Sequence, residues 1–118
     1  MARIGFIGLG NMGLPMARNL AGAGHSVCGF DLSADAVAAA RAAGIDVAGG
    51  VAEACGGAGT VVTMLPEWRH VRAVYMDRGG ILDRAAAGTL LVDCSTIDVD
   101  SARAVAAAAS ARGFAMLD

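Results

Sequence analysis

Six residues restrict most strongly what this chain can become. Gly8-Leu9-Gly10-Asn11-Met12-Gly13 is a G-x-G-x-x-G placed directly after the apolar run 3–7, Arg3-Ile4-Gly5-Phe6-Ile7. In a chain with 17 glycines the pattern alone says little, but its setting says more. It follows a strand candidate and opens a helix candidate. Asp31 stands 18 residues beyond Gly13, close to the spacing of about 20 expected between such a turn and its acidic partner.

Short β-branched runs alternate with alanine-rich helical runs along the rest of the chain. Residues 11–23 read as a helix with Met12, Met16 and Leu20 on one face; Pro15 falls in its first turn, and Gly22 and Gly24 end it. A second strand spans 26–31. A helix capped by Ser33 runs to Ala43 and stops at Gly44. A short strand at 45–48, a brief helix at 51–55 and a strand at 60–64 ended by Pro66 follow. A helix at 67–76 offers Val71, Val74 and Tyr75 for packing. The last elements are a strand at 89–93, a helix from Asp98 or Asp100 to Arg112, and a sixth strand at 114–117. Acidic residues at the start of that helix and Arg at its end suit its dipole. Strands that read as apolar runs and alternate with helices indicate a parallel sheet covered on both faces. The expected fold is therefore α/β, one Rossmann-type doubly wound domain over residues 1–118, with strand order 3-2-1-4-5-6.

In such a fold each glycine has a task. Gly8 permits the tight turn out of the first strand, Gly10 lets backbone approach a pyrophosphate, and Gly13 lets the helix pack close to the sheet. The helix N-terminus offers N–H groups and partial positive charge to phosphates. Asp31 can accept hydrogen bonds from both hydroxyls of an adenosine ribose and would repel a 2′-phosphate. No Arg stands beside it, which favours NAD over NADP. All parallel strands finish on one side of the sheet, so Met64-Leu65-Pro66 and Asp93-Cys94-Ser95-Thr96 reach the same crevice. Leu65 and Pro66 suit an apolar wall. Ser95 and Thr96 supply hydroxyls near an expected nicotinamide, or alternatively cap the next helix. Asp93 either closes its strand or orients the Ser95 loop. Trp68 and Arg69 either line the crevice or are solvated. His25 fits a turn, and His70 lacks an evident carboxylate partner.

Bulk properties exclude several classes. With 56% hydrophobic and 17% charged residues the chain is not disordered by composition. A net charge of −2, with nine Arg scattered from Arg3 to Arg112, offers no basic patch for nucleic acid. Cys28, Cys55 and Cys94 form no CxxC pair, so neither a metal site nor a disulfide framework is indicated. They read as small reduced core residues, with Cys94 alternatively a thiol beside the site. No signal peptide and no membrane span are discernible, which suits a cytoplasmic protein.

The run from Ile4 to Leu20 resembles the opening of the 3-hydroxyisobutyrate dehydrogenases, the β-hydroxyacid dehydrogenase family. So do Ala23-Gly-His-Ser-Val with Phe30-Asp31, Met64-Leu65-Pro66, Asp93 to Asp98, and Gly113-Phe to Asp118, in that order along the whole chain. The resemblance implies that Gly8, Leu9, Gly10, Asn11 and Met12 hold the pyrophosphate, that Asp31 binds ribose, and that Leu65, Pro66 and Thr96 contact the dinucleotide. It implies reversible hydride transfer between NAD and a small 3-hydroxy acid, giving a semialdehyde. Relatives with Asn-Arg in place of Phe30-Asp31, including the similar imine reductases, tend to use NADPH. Val99 departs from a frequent proline. In this family a Ser-Gly-Gly substrate segment, a helical domain with a catalytic lysine and the main dimer contacts lie beyond the stretch matched here. All nine basic residues of this chain are Arg, so no catalytic residue is assigned. Two expectations compete: the cofactor half of a dehydrogenase, inactive without its helical domain, or a self-sufficient dinucleotide-binding or sensor module. An apolar face at the sixth strand would favour the first.

Overall fold

The computed structural model describes residues 2–118. Its elements are β1 (Arg3–Ile7), α1 (Gly13–Gly22), β2 (Ser26–Phe30), α2 (Ala34–Ala42), β3 (Asp46–Val47), α3 (Val51–Cys55), β4 (Thr60–Thr63), α4 (Trp68–Met76), α5 (Ile81–Arg84), β5 (Leu90–Asp93), α6 (Val99–Ala111) and β6 (Ala115–Leu117). The strands form one parallel sheet in the order β3-β2-β1-β4-β5-β6, as expected. Strand pleating divides the core in two. Ile4, Phe6, Val27 and Val62 pack with Ala17 of α1 and Ala40 of α2. Ile7, Val61 and Leu91 pack with side chains of α3, α4, α5 and α6, including Cys55, Tyr75, Ile81 and Val105.

Four details depart from expectation. The four-residue α5 carries too short a pattern for helical periodicity to show. In α1 the fully buried line is Gly13 and Ala17; Met16 and Leu20 pack half-buried against the core as expected, and Met12 does not. The helix lies so near the sheet that only small side chains fit on the buried line, and Met12, at the N-cap position, is 63% exposed. Cys94 is exposed rather than packed in the core, while Cys55 is buried and Cys28 half-buried. Burial, followed by the nearby Asp93 charge, raises the Cys94 thiol, so it is not an activated nucleophile. Finally, Arg112 is the C-cap of α6 but reaches the Leu82 carbonyl and the Asp83 carboxylate, both at 2.9 Å.

The caps follow local rules. Ser33 Oγ accepts from Ala36 N at 3.3 Å, and Asp98 Oδ2 accepts from Ser101 N at 2.9 Å. Asp98, rather than Ser95 or Thr96, therefore caps α6. The Ser101 N–H foremost, helped by Arg72, holds the Asp98 carboxyl below its ordinary range. A lowered folded pKa stabilises above the unfolded value of about 3.9, and the benefit is lost as pH falls through the folded value. Asp98→Ala is expected to lower the melting temperature at neutral pH, with the gap from the parent chain narrowing near pH ~3. Thermal melts at both pH values check this.

Candidate functional site: a crevice at the switch point of the sheet

The sheet order reverses between β1 and β4. At the carboxyl ends of these strands and β2 lies a cavity of about 790 Å³. Its floor is the glycine loop: Gly8, Gly10, Asn11, Met12 and Gly13 all line it. Gly8 has φ +104°, and a Cβ there would strike the Met64 carbonyl. A Cβ on Gly13 would strike the Gly8 carbonyl. Nothing lies within 4 Å of a Cβ built on Gly10. Two glycines thus close the turn against protein, and the third leaves open space above the loop. The N-terminus of α1 points into that space with no side-chain cap and no acid in its first turn. Leu14 N is taken by Gly10 O and Pro15 has no N–H, so the phosphate seat is the Gly13 N–H, the glycine loop before it and the positive end of the helix dipole.

Asp31 directly follows β2, beside this loop. Its Oδ2 accepts from Leu9 N at 2.8 Å and its Oδ1 from Ser33 N at 2.8 Å. One carboxylate therefore ties the glycine loop to the start of α2. Gly8 N adds a bond to Phe30 O at 2.9 Å. The Leu9 side chain is buried on the α1–α2 side of the sheet and its N–H is held by Asp31, so Leu9 supports the loop and does not line the crevice. Phe30, Leu32 and Ala36 form one apolar wall, and Met64, Leu65 and Pro66 form another.

Pro66 also borders a second, more open recess of about 470 Å³, shared with Trp68, Arg69, Thr96, Ile97 and Asp98. Trp68 and Arg69 therefore line this recess, not the glycine-loop crevice, and stay exposed. Arg69 pairs with Glu67 at 2.7 Å on the surface. The Arg72 guanidinium lies 5.7 Å from the Trp68 ring centroid and donates to Ser101 Oγ at 2.9 Å, linking α4 to α6.

Below the boundary of the two recesses lies a buried polar cluster. Asp93 Oδ1 accepts from Thr63 Oγ1 at 2.8 Å, Ser95 Oγ at 2.7 Å and Ser95 N at 3.1 Å. Tyr75 OH lies 2.8 Å from Thr63 Oγ1, and Ser95 Oγ accepts from Leu65 N at 2.8 Å. Asp93 thus orients the Ser95 loop. Burial pushes the Tyr75 phenol well above its ordinary range, so it stays protonated.

Of the residues singled out in the sequence, Gly8, Gly10, Asn11, Met12 and Gly13, together with Phe30, Asp31, Met64, Leu65 and Pro66, share the larger cavity. Thr96 stands in the smaller recess, Leu9 lines neither recess and gives its N–H to Asp31, and Ser95 sits behind the wall. His25 serves the turn, its Nδ1 accepting from Ala2 N at 3.1 Å. His70 lines the larger cavity, exposed. Sequence reasoning missed Val51, Val74, Asp77 and Arg78 on the same wall. They come from the start of α3, from α4 and from the turn after it, and no local pattern marks them. Thr63 and Tyr75 were missed as polar partners. A Thr closing a buried apolar strand was the one available hint.

A parallel doubly wound sheet, an open glycine loop at its switch point and a carboxylate after β2 define a dinucleotide-binding α/β domain. Residues 3–118 match the family described as the NAD binding domain of 6-phosphogluconate dehydrogenase, and the chain belongs to that family. It is 49% identical over 118 residues to a Pseudomonas aeruginosa protein named NAD-dependent L-serine dehydrogenase, and 48% identical to a 3-hydroxyisobutyrate dehydrogenase of the same organism. Both matches take in all of this chain and 40% of the relative. A Mycobacterium tuberculosis 3-hydroxyisobutyrate dehydrogenase structure with L-serine superposes with a TM-score of 0.92 at 46% identity, over 98% of this chain and 39% of that one. The chain is an NAD(P)-binding domain, similar to that part of 3-hydroxyisobutyrate dehydrogenases, and spans about 40% of the length of these relatives. Among the described residues no helix is long and apolar enough to cross a membrane.

Proposed function

We propose that this chain binds NAD in preference to NADP and serves reversible hydride transfer between NAD and a small 3-hydroxy acid, in the cytoplasm. The observation that carries the cofactor choice is the Asp31 carboxylate beside the open glycine loop. A carboxylate offers about four lone-pair positions, and two are taken by Leu9 N and Ser33 N. The remainder suit the two ribose hydroxyls, while a 2′-phosphate would meet like charge. The α1 N-terminus takes the pyrophosphate. Met64, Leu65 and Pro66 wall the path toward the recess at Thr96, which takes the nicotinamide end, with Ser95 behind it. Bound NAD supplies the hydride acceptor.

Oxidation of a hydroxyl also requires a base for its proton, and the reverse reaction an acid. None of the 118 residues is lysine, and no side chain at the Thr96 recess is assigned that task. We place the acid–base group in protein beyond this chain.

Calorimetric titration tests the reading. NADH is expected to bind at least ~10-fold more tightly than NADPH, about 1.4 kcal/mol. Equal or reversed affinities, or no binding by folded protein, would overturn the cofactor choice. The chain alone is expected not to oxidise 3-hydroxyisobutyrate, and turnover would overturn the placement of the acid–base group.

A further inference from the structure

We propose that Asp93 and Ser95 form a positioning relay that holds the Leu65–Pro66 wall, and that affinity for the nicotinamide half of the dinucleotide depends on it. The proposal rests on the dinucleotide reading above. Thr63 Oγ1 spends its single proton on Asp93 Oδ1, so towards Tyr75 it can only accept. Ser95 Oγ spends its proton on the same oxygen, so towards Leu65 N it can only accept. Every direction is then fixed: Tyr75 to Thr63 to Asp93 from one side, and Leu65 N to Ser95 to Asp93 from the other.

Thr63 and Asp93 are register partners at the ends of β4 and β5, so the relay bridges adjacent strands where the ladder stops. Met64 N is still held by Ile7 O at 3.0 Å. Leu65 N is the next donor along the chain, and Pro66 has none. The Ser95 hydroxyl is therefore the last hydrogen-bond anchor of the backbone before Pro66, the residue that borders both recesses. Thr63, Tyr75 and Asp93 are buried, which shields the relay from water and raises the penalty for breaking it. The adenosine side is anchored separately, by Asp31 and the glycine loop.

The two halves can be told apart by titrating NADH and adenosine monophosphate into the unaltered chain and into Ser95→Ala. Losing one hydrogen-bond anchor is expected to weaken NADH about tenfold and to leave the monophosphate within about twofold. Asp93→Asn keeps an acceptor oxygen without the charge and should give a smaller loss in the same direction. Should Asp93→Asn fail to fold, Ser95→Ala decides alone. Unchanged NADH affinity in Ser95→Ala, or equal losses for both ligands, would overturn the relay as a positioning device and leave it a purely structural cluster. Failure of the unaltered folded chain to bind NADH would overturn the dinucleotide reading itself, and the relay proposal with it.

Discussion

Gly13→Ala is expected to cost about 3 kcal/mol or to prevent folding, whereas Gly10→Ala should change stability by no more than about 0.5 kcal/mol. The difference lies in what a methyl group would meet. At Gly13 it strikes the Gly8 carbonyl and comes within 3.4 Å of the Phe6 ring. Neither can give way cheaply, because Phe6 is fully buried and Gly8 N is bonded to Phe30 O. Relief requires α1 to move off the sheet, which would open the packing around Ala17. A small domain has only about 5–15 kcal/mol in reserve, so the loss is severe. At Gly10 the methyl enters open space, and the backbone there needs no left-handed conformation. It should instead intrude on the phosphate seat and weaken NADH at least ~10-fold. Urea unfolding and NADH titration of both variants check the pair. If Gly10→Ala were the unstable variant, the assignment of one glycine to packing and the other to ligand approach would be wrong.

That separation of roles could be read from the sequence, because glycine spacing, the preceding strand and Asp31 all act over short range. Strand order was legible for a related reason: right-handed crossovers leave few topologies for six apolar runs alternating with helices. What stayed hidden was set by distance in space. Thr63, Tyr75 and Asp93 are 12 and 30 residues apart, and no local pattern announces that their hydroxyls and carboxylate meet. Val74 on α4 and Arg78 just beyond it line the crevice, which depends on tertiary packing. Met12 misled in the opposite way. Its spacing matched the face on which Met16 and Leu20 pack, yet Met12 sits at the N-cap of α1 and is exposed where it lines the cavity.

Asp31→Asn is expected to erase most of the preference for NADH over NADPH. The unaltered carboxylate would face a 2′-phosphate across hydrogen-bond distance. Coulomb's law gives about 4 kcal/mol for two unit charges 4 Å apart near a protein surface, before salt screening reduces it. Retaining a third of that is enough for a discrimination of roughly tenfold. Asparagine removes the charge and keeps one acceptor oxygen, so NADPH should gain while NADH loses one strong ribose bond. The ratio of the two affinities should fall at least ~10-fold. The substitution also has a structural cost, because both carboxylate oxygens are in use. One of the bonds from Leu9 N and Ser33 N must be lost, at about 1 kcal/mol. This cost lowers the melting temperature and weakens both dinucleotides alike, so it cancels in the ratio. High salt offers an independent check, since the unaltered chain should discriminate less as ionic strength rises and Asp31→Asn should barely respond. A ratio unchanged by the substitution would mean that Asp31 only ties the glycine loop to α2, and that the choice of cofactor is made elsewhere on the cavity wall, where Arg78 is the cationic candidate.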